Sequence, residues 1–486
     1  MRAIGLALVA LALSASPASA AVLEIRENLC GCDGSSGDED TRTLIVRAAP
    51  GEVNRMSVRQ MPRGVLVEDA GAPLTGACRV SSSGGRFCRG AFDDAEVELG
   101  DGGDTLGVMG VGSAVSAGDG ADSVLVTGTF HVFRGGAGAD RFEAGEGATA
   151  TVSYSDHTQG VTVRLNGHAD DGAPGEGDQI LGVISSIQGG AGNDRLEAGP
   201  DTASLAGEAG GDTLLGGPHA TVLQGDEGDD ELLGGDGDDT LLGGDGADVL
   251  AGGNGRDAAT YYDHDLALRL AIGDGPNDGE ALEGDDIRPD VEDVAGGPRA
   301  DVIIGDGGPN RLAGGGGADE IFGLGGDDQL QGSIRGALLD PGPGRDLLAA
   351  SAGDRLRLDD GEPDHVRCPG NAPAVSADEL DTFDDCAPAV WVRDVRSSPR
   401  GWLRVRIRCD GHSAVPCRGS LVLRWGRRAF SRVVRFGPLL PAERRVVSIR
   451  LLRPLPRHCV RARVTTRRDD IPASTELRFA VHCRLP

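Results

Sequence analysis

The sequence contains no lysine: all 47 basic residues are arginine, which we read as the mark of a GC-rich genome rather than of a function. Aromatic residues are scarce, with 10 Phe, 3 Tyr and 3 Trp in 486 residues, whereas 79 residues are glycine. This balance excludes an ordinary layered α/β enzyme core for most of the chain. It does not exclude folding, because 39% of the residues are apolar, far more than a disordered acidic segment would hold. Catalytic signatures are missing as well. There is no HExxH for a zinc protease and no GxSxG for a serine hydrolase. The nine His are scattered, and only His157 and His264 recur, each after an Asp, a pairing that reads as structural. Repeats and end modules use up the chain and leave no block of about 150 residues for a catalytic domain, so no enzyme is expected. No apolar stretch near the C-terminus reaches the roughly 20 residues that span a membrane.

Cysteine is absent from the long middle of the chain. Cys30, Cys32, Cys78 and Cys88 lie early, and Cys368, Cys386, Cys409, Cys417, Cys459 and Cys483 lie late. Each group is even, as expected for disulfides confined to end modules in an oxidising compartment, with short-range pairings such as Cys78 with Cys88. Zinc fits poorly, because the spacings form no good CxxC pair and no His flanks them. Met1 to Ala20 has the form of a secretory signal peptide: Arg2, an apolar run from Ala3 to Leu13, and a small-residue site at Ala18-Ser19-Ala20. No Cys follows that site directly, so a lipid anchor is not indicated. A secreted, extracellular protein is expected, at the cell surface or in the surrounding matrix.

The net charge of −29 is unevenly spread. Residues 391–486 hold 23 Arg and 6 acidic residues, a net of +17, which leaves 24 Arg against 70 acidic residues, or −46, in the rest. So acidic a block repels itself unless a cation enters it, which makes a divalent metal the natural counter-charge and nucleic acid an unsuitable partner.

What is abundant is a repeat. Residues 225–260 read GDEGDDELL, GGDGDDTLL, GGDGADVLA, GGNGRDAAT, four units of the form G-G-x-G-x-D-x-U-x, where U is a large apolar residue. The frame holds for eight units from Gly189, for six from Gly296, and for six more degenerate units from Leu99. The glycine half can turn tightly at positive φ, and the x-U-x half is a short strand with one inward side chain. Neither half buries anything alone, so units must stack. If turn and strand alternate, one coil takes two units, 18 residues. The degenerate run has this period in its chemistry: Asp104, Asp122 and Asp140 recur by 18, while Ser113, His131 and Thr149 stand at the intervening sixth positions.

These nonapeptides resemble the RTX, or haemolysin-type, calcium-binding repeats over roughly residues 99–349. The resemblance implies a parallel β-roll in which Ca²⁺ sits between stacked turns, bound by position-six carboxylates and loop carbonyls, as a hard cation with six or more oxygen ligands requires. Carried over residue by residue, it implies as ligands Asp104, Asp122, Asp140, Asp194, Asp212, Asp230 and Asp248, with Asp239 and Asp257 opposite, then Asp301 with Asp319 and Asp328 with Asp346. Asn310 and Ala337 replace Asp at position six and Glu208 replaces a Gly, so sites beside them should be weak or absent. The alternative is that these Asp only cap turns. Against it stands the self-repulsion of a carboxylate column spaced by about one strand, ~4.8 Å. Members of the family leave the cell by a C-terminal signal and are poor in Cys. This chain departs from both traits, which weakens a toxin reading.

The expected fold class is all-β: a parallel β-roll with an N-terminal β cap and a C-terminal β-sandwich-like domain. The organisation is signal peptide 1–20, cap 21–98, roll 99–349, closing coil 350–387 (stapled by Cys368 and Cys386) and basic domain 388–486. Two longer coils, 153–188 and 261–295, begin alike (SYSDH and TYYDH) and pass through an acidic loop. Asp170, Asp171, Glu176 and Asp178, with Asp278, Glu280 and Asp285, are either a further cation site or a solvated loop. In the last domain Arg alternates with apolar residues, as in WLRVRIRC. That pattern is either a solubilised face or a basic patch for an anionic partner, an envelope polymer or glycan or the acidic roll itself. A non-enzymatic structural or adhesive component that folds on extracellular Ca²⁺ is the expectation. An adhesin whose C-terminal domain binds a ligand, or a toxin or polysaccharide-active enzyme, are the alternatives.

Overall fold

The computed structural model describes residues 21–28, 41–48, 53–70, 74–76, 78–333, 335–351, 353–358, 360–370, 374–377, 381–386 and, beyond these, strands between 390 and 466. From residue 369 on, only Asp381 and Thr382 are described beyond the backbone. The segment 1–20 and Cys30, Cys32, Cys459 and Cys483 lie outside the described residues. Among the described residues there is no helix. The chain divides into two compact units, Met1–Ser204 and Leu205–Pro486.

In the first unit, Ala21–Asn28 pairs antiparallel with Thr41–Arg47, which runs parallel to Asp94–Glu98. From there one face continues in parallel through Gly112–Ser116, Phe130–Arg134, Thr149–Ser153 and Ile184–Gln188. The opposite face starts at the hairpin of Arg55–Met61 and Gly64–Asp69 and continues through Thr105–Met109, Ser123–Thr127, Arg141–Ala144 and Gln179–Gly182. Thr105 lies opposite Ser123, and Ser123 opposite Arg141, each 18 residues on. The roll alternates turn, strand, turn, strand, as the sequence period requires. Cys78 and Cys88 are joined in a disulfide, with Cα atoms 4.7 Å apart.

In the second unit one face runs in parallel from Val222–Glu227 through Thr240–Asp245, Ala258–Thr260, Asp293–Ala295, Arg311–Ala313, Gln329–Gln331 and Leu347–Ala349. It does not stop at residue 349, because His365–Gly370 and Thr382–Cys386 extend the same ladder. Cys368 is buried and disulfide-bonded, and the side chain of Cys386 lies outside the described residues. Further along, Val390–Ser397, Trp402–Cys409 and Arg444–Arg450 form an antiparallel sheet. Cys417–Trp425 pairs antiparallel with Val434–Leu439 and with Ala462–Thr466.

The two longer coils are junctions rather than loops bulging from a single ladder. In the first, Gln179–Gly182 closes the stack begun at Arg55–Met61, while Thr162–Val163 opens a new one by pairing with Arg195–Glu197. In the second, Asp286–Ile287 closes the stack of Glu231–Asp236 and Val249–Asn254, and Arg269–Ala271 opens another with Val302–Ile304. Each junction is tied by antiparallel bridges, Asp171 to Asp178 and Asp278 to Asp285.

The core is built of files of inward apolar side chains, two on the stack of the first unit where Val108, Val126 and Ala144 run beside Leu106, Val124 and Phe142. Leu106, Val124 and Phe142 on one stack, and Leu232, Leu250 and Ile287 on another, are each almost fully buried. Turn glycines are needed where successive turns touch. Gly255 has φ +148°, and a Cβ there would run into the carbonyl oxygen of Gly237, one coil away. Leu232→Ala should therefore cost about 2–5 kcal/mol in chemical unfolding of the calcium-loaded protein, as large-to-small changes in packed cores do. Leu282→Ala, at a side chain wholly in solvent, should leave the midpoint unchanged.

Candidate metal centre

The turn before each x-U-x strand places the position-six residue at the strand's start, on the inner side of the bend. Stacking at 18-residue intervals then superposes these residues in columns. Within a column each Asp uses one carboxylate oxygen in the same way: its Oδ1 accepts the backbone N–H of the position-six residue one coil before. Asp104 N–H donates to Asp122 Oδ1 at 2.6 Å, Asp122 to Asp140 at 2.8 Å and Asp140 to Asp178 at 2.8 Å. The second unit repeats this from Asp212 to Asp230 (2.7 Å), Asp230 to Asp248 (2.8 Å) and Asp248 to Asp285 (3.0 Å). On the opposite face Thr221 donates to Asp239 and Asp239 to Asp257, at 2.7 and 2.8 Å. Asp301 donates to Asp319 at 3.1 Å. Asn310, Asp328 and Asp346 donate in turn to Asp328, Asp346 and Asp364 at 2.8, 2.8 and 3.1 Å.

The other oxygen is left over. Oδ2 of Asp104, Asp122, Asp140, Asp230, Asp239, Asp248, Asp257, Asp285, Asp319, Asp328, Asp346 and Asp364 is buried with no hydrogen-bond partner. Where the unit begins with glycine, Oδ2 lies under that residue: a Cβ on Gly135, Gly225 or Gly243 would strike Oδ2 of Asp140, Asp230 or Asp248. A buried, unsatisfied anionic oxygen is among the costliest groups a fold can contain. Files of them, walled by glycine and backbone carbonyls, fit a hard divalent cation with oxygen ligands and leave no room for a side chain.

The electrostatics agree. Burial, reinforced by neighbouring carboxylates, pushes Asp140, Asp248 and Asp364 up to about 8. The same causes take Asp328 up to about 7 and Asp122, Asp230 and Asp257 up to about 6.

Not every expected residue sits in such a setting. Asp194 and Asp301 begin stacks, and both their oxygens accept backbone N–H groups: Val161 and Gly190 at 2.7 Å for Asp194, Leu268 at 2.9 Å and Gly297 at 3.0 Å for Asp301. Asn310 keeps its place in the file, with Oδ1 accepting from Asp306 N–H at 2.9 Å. Ala337 donates its N–H to Asp354 Oδ1 at 2.7 Å and leaves a gap in the carboxylate file. Asp354 and Asp364 extend the columns past residue 349.

In the junctions, Asp178 and Asp285 join the columns as ordinary members after long insertions. The signal was present in the sequence, since Asp178-Gln179-Ile180 and Asp285-Asp286-Ile287 each preserve the D-x-U of a unit. The rest of each acidic loop is largely engaged from within, although Oδ2 of the buried Asp171 has no hydrogen-bond partner. Tyr154 Oη donates to Asp178 Oδ2 at 3.0 Å, and His157 is held between Asp156 at 2.9 Å and Glu176 at 3.1 Å. His264 repeats the arrangement, 3.0 Å from Asp263 and 3.4 Å from Glu283. Burial opposes the charge on His264, but Asp263, Glu283 and Asp285 outweigh it and raise it to about 9. The outer carboxylates are engaged by their own loops: Asp170 lies 3.8 Å from Arg164, Asp171 and Asp278 accept the N–H of Arg164 and Ala271, and Glu280 accepts that of Leu266.

A parallel β-roll with files of position-six carboxylates defines a class of ion-binding solenoid. Residues 185–214, 224–258 and 295–330 match the RTX calcium-binding nonapeptide repeat, in four copies. These stretches are RTX repeats, and calcium is the ion such repeats bind. No curated protein is significantly similar to the chain.

The raised carboxyls set a pH dependence with a definite sign. Unfolded Asp titrates near 4, whereas Asp140 and Asp248 titrate near 8 in the metal-free fold. The fold therefore binds more protons, and its stability is full below about pH 4 and lost as pH rises towards 8. In EDTA any folded signal present near pH 4 should be lost as pH rises towards 8, and saturating calcium should flatten the profile. A folded signal that rises with pH in EDTA would contradict the burial of these groups.

Proposed function

We propose that the chain is an exported, non-enzymatic calcium-binding β-roll that folds on extracellular Ca²⁺ and acts as a structural or adhesive component of the cell surface or matrix. The observation that supports this most is the file of buried carboxylates, each with one oxygen spent on the coil before and one left over. In this reading the position-six carboxylates hold calcium between coils: Asp104, Asp122 and Asp140 in the first unit, and Asp212, Asp230, Asp248, Asp239, Asp257, Asp319, Asp328 and Asp346 in the second. Asp194 and Asp301, already bonded to backbone N–H groups, set the first turn of a stack and add little to binding.

Folding and binding then become one equilibrium, because the unfolded chain has no preformed site. Where calcium is scarce the carboxylates repel and the chain stays extended. At millimolar calcium the files are neutralised and the coils stack. The Arg-alternating antiparallel strand Trp402–Cys409 supports an adhesive variant of this reading, in which the basic C-terminal strands hold an anionic envelope polymer or glycan. Salt-sensitive retention on envelope fragments, lost on deleting residues 388–486, would support that variant, and retention indifferent to salt would exclude it.

Far-UV circular dichroism of the full chain during a calcium titration tests the main reading. We expect a cooperative gain of β signal near millimolar Ca²⁺, with Mg²⁺ ineffective. Asp230→Asn, which removes one charged ligand, should raise the calcium midpoint about tenfold, since a hydrogen bond or ligand contact to a charged group is worth about 1.5–3 kcal/mol. A signal already complete in chelator and unmoved by Ca²⁺ would reduce the columns to turn residues.

A further inference from the structure

The coil that leads into His365–Gly370 contains a carboxylate that the repeat does not call for. Asp360 stands at position two of its unit, where the well-formed units at Gly234, Gly243 and Gly252 have glycine. Its Oδ1 accepts the N–H of Glu362 at 2.9 Å, a local turn that fixes the side chain over the column. One ligand atom each from Asp346, Asp360 and Asp364 fall within 4.8 Å of one another. Asp346 and Asp364 are only 1% exposed, and the Oδ2 of each is buried without a partner. Among the described residues no ion pair reaches any of the three. Three carboxylates converge, two of them sealed from water, with no protein cation to balance them.

We propose that Asp346, Asp360 and Asp364 form a divalent-cation site for calcium in which Asp360, outside the position-six pattern and beyond the matched repeats, supplies a third carboxylate. The proposal rests on the calcium reading of the columns and adds a ligand to it. A third formal negative charge makes this site bind more tightly than the two-carboxylate sites along the same file, because affinity for a hard cation rises with ligand charge. Its place gives it a task. Asp360 lies on the turn leading into His365–Gly370, the strand that adds to Leu347–Ala349 and contains the disulfide-bonded Cys368. An ion held by Asp346 from one coil and by Asp360 and Asp364 from the next clamps this strand to the roll where the matched repeats have ended.

Equilibrium dialysis of the full-length protein against calcium tests the site, with bound ions counted per chain. Asp360→Asn should move one bound calcium per chain out of the class that fills at the lowest free calcium and into the class of the two-carboxylate sites. Asp360 is exposed and outside the core, so the fold should persist, as circular dichroism in saturating calcium will show. Glu362→Gln removes an equal charge from the same turn and should leave the count unchanged. Asp230→Asn separates this proposal from the broader one. If Asp230→Asn weakens calcium binding and Asp360→Asn leaves the tightest class at its full count, the three-carboxylate site is wrong and the columns stand. If the unsubstituted protein binds no calcium, both fall together.

Discussion

The hydrogen bond from one position-six N–H to the carboxylate of the next coil is the contact on which the rest of the molecule depends. It fixes the 18-residue register, because an Asp can reach only the residue directly before it in the file. It also fixes where the second oxygen goes, since a carboxylate committed at Oδ1 must turn Oδ2 into the buried bend of its own unit. The same bond that aligns the coils therefore creates a buried anion with nothing of the protein's own to satisfy it. A column of such groups can be stable only when protonated or when an external cation is shared between coils. Structure and ion dependence are thus one constraint rather than two.

The junctions show what the chain does where a column must end. At Asp178 and Asp285 the terminal carboxylate has no further coil to bond, and the sequence places a tyrosine and a histidine beside it twice. Tyr154 bonds Asp178 directly, and His157 and His264 sit between two acidic side chains each. The acidic neighbours raise both imidazoles, His264 to about 9, which brings positive charge into that loop without an exchangeable ion. Each stack so closed allows the next to begin at a new edge, while the opposite face runs through uninterrupted. In the first junction Thr149–Ser153 still pairs with Ile184–Gln188 across an insertion of nearly one coil.

Much of this was legible in the sequence, because a short repeat states its own geometry. The period of 9 with a chemical period of 18 gave the two-sided roll, and the apolar U residues gave the inner file. What stayed hidden was anything that depended on where a coil is interrupted. Asp178 and Asp285 lie 38 and 37 residues after their column partners, so counting by 18 passed them by, although the D-x-U signature survived. Asp354 and Asp364 were missed because the glycine pattern fades after residue 349 while the strand register does not. The saturation of Asp194 and Asp301 could not be read from spacing at all. It follows from a backbone N–H brought in by a chain segment 33 residues earlier, Val161 and Leu268 respectively.

The two faces of the roll are not equivalent along the chain. In the first unit the face opposite Asp104, Asp122 and Asp140 has Ser113 and His131 at position six, joined by a 2.8 Å hydrogen bond. His131 is fully buried, and burial holds it below its ordinary value, so this file is neutral. The same unit contains the stacked rings of Phe133 and Phe142, 4.6 Å apart, and an edge hairpin with a disulfide. In the second unit both faces bear carboxylate files and the turns have little but glycine. The first unit, with one charged file per coil and aromatic packing of its own, therefore buries fewer unpartnered carboxylates per coil than the second.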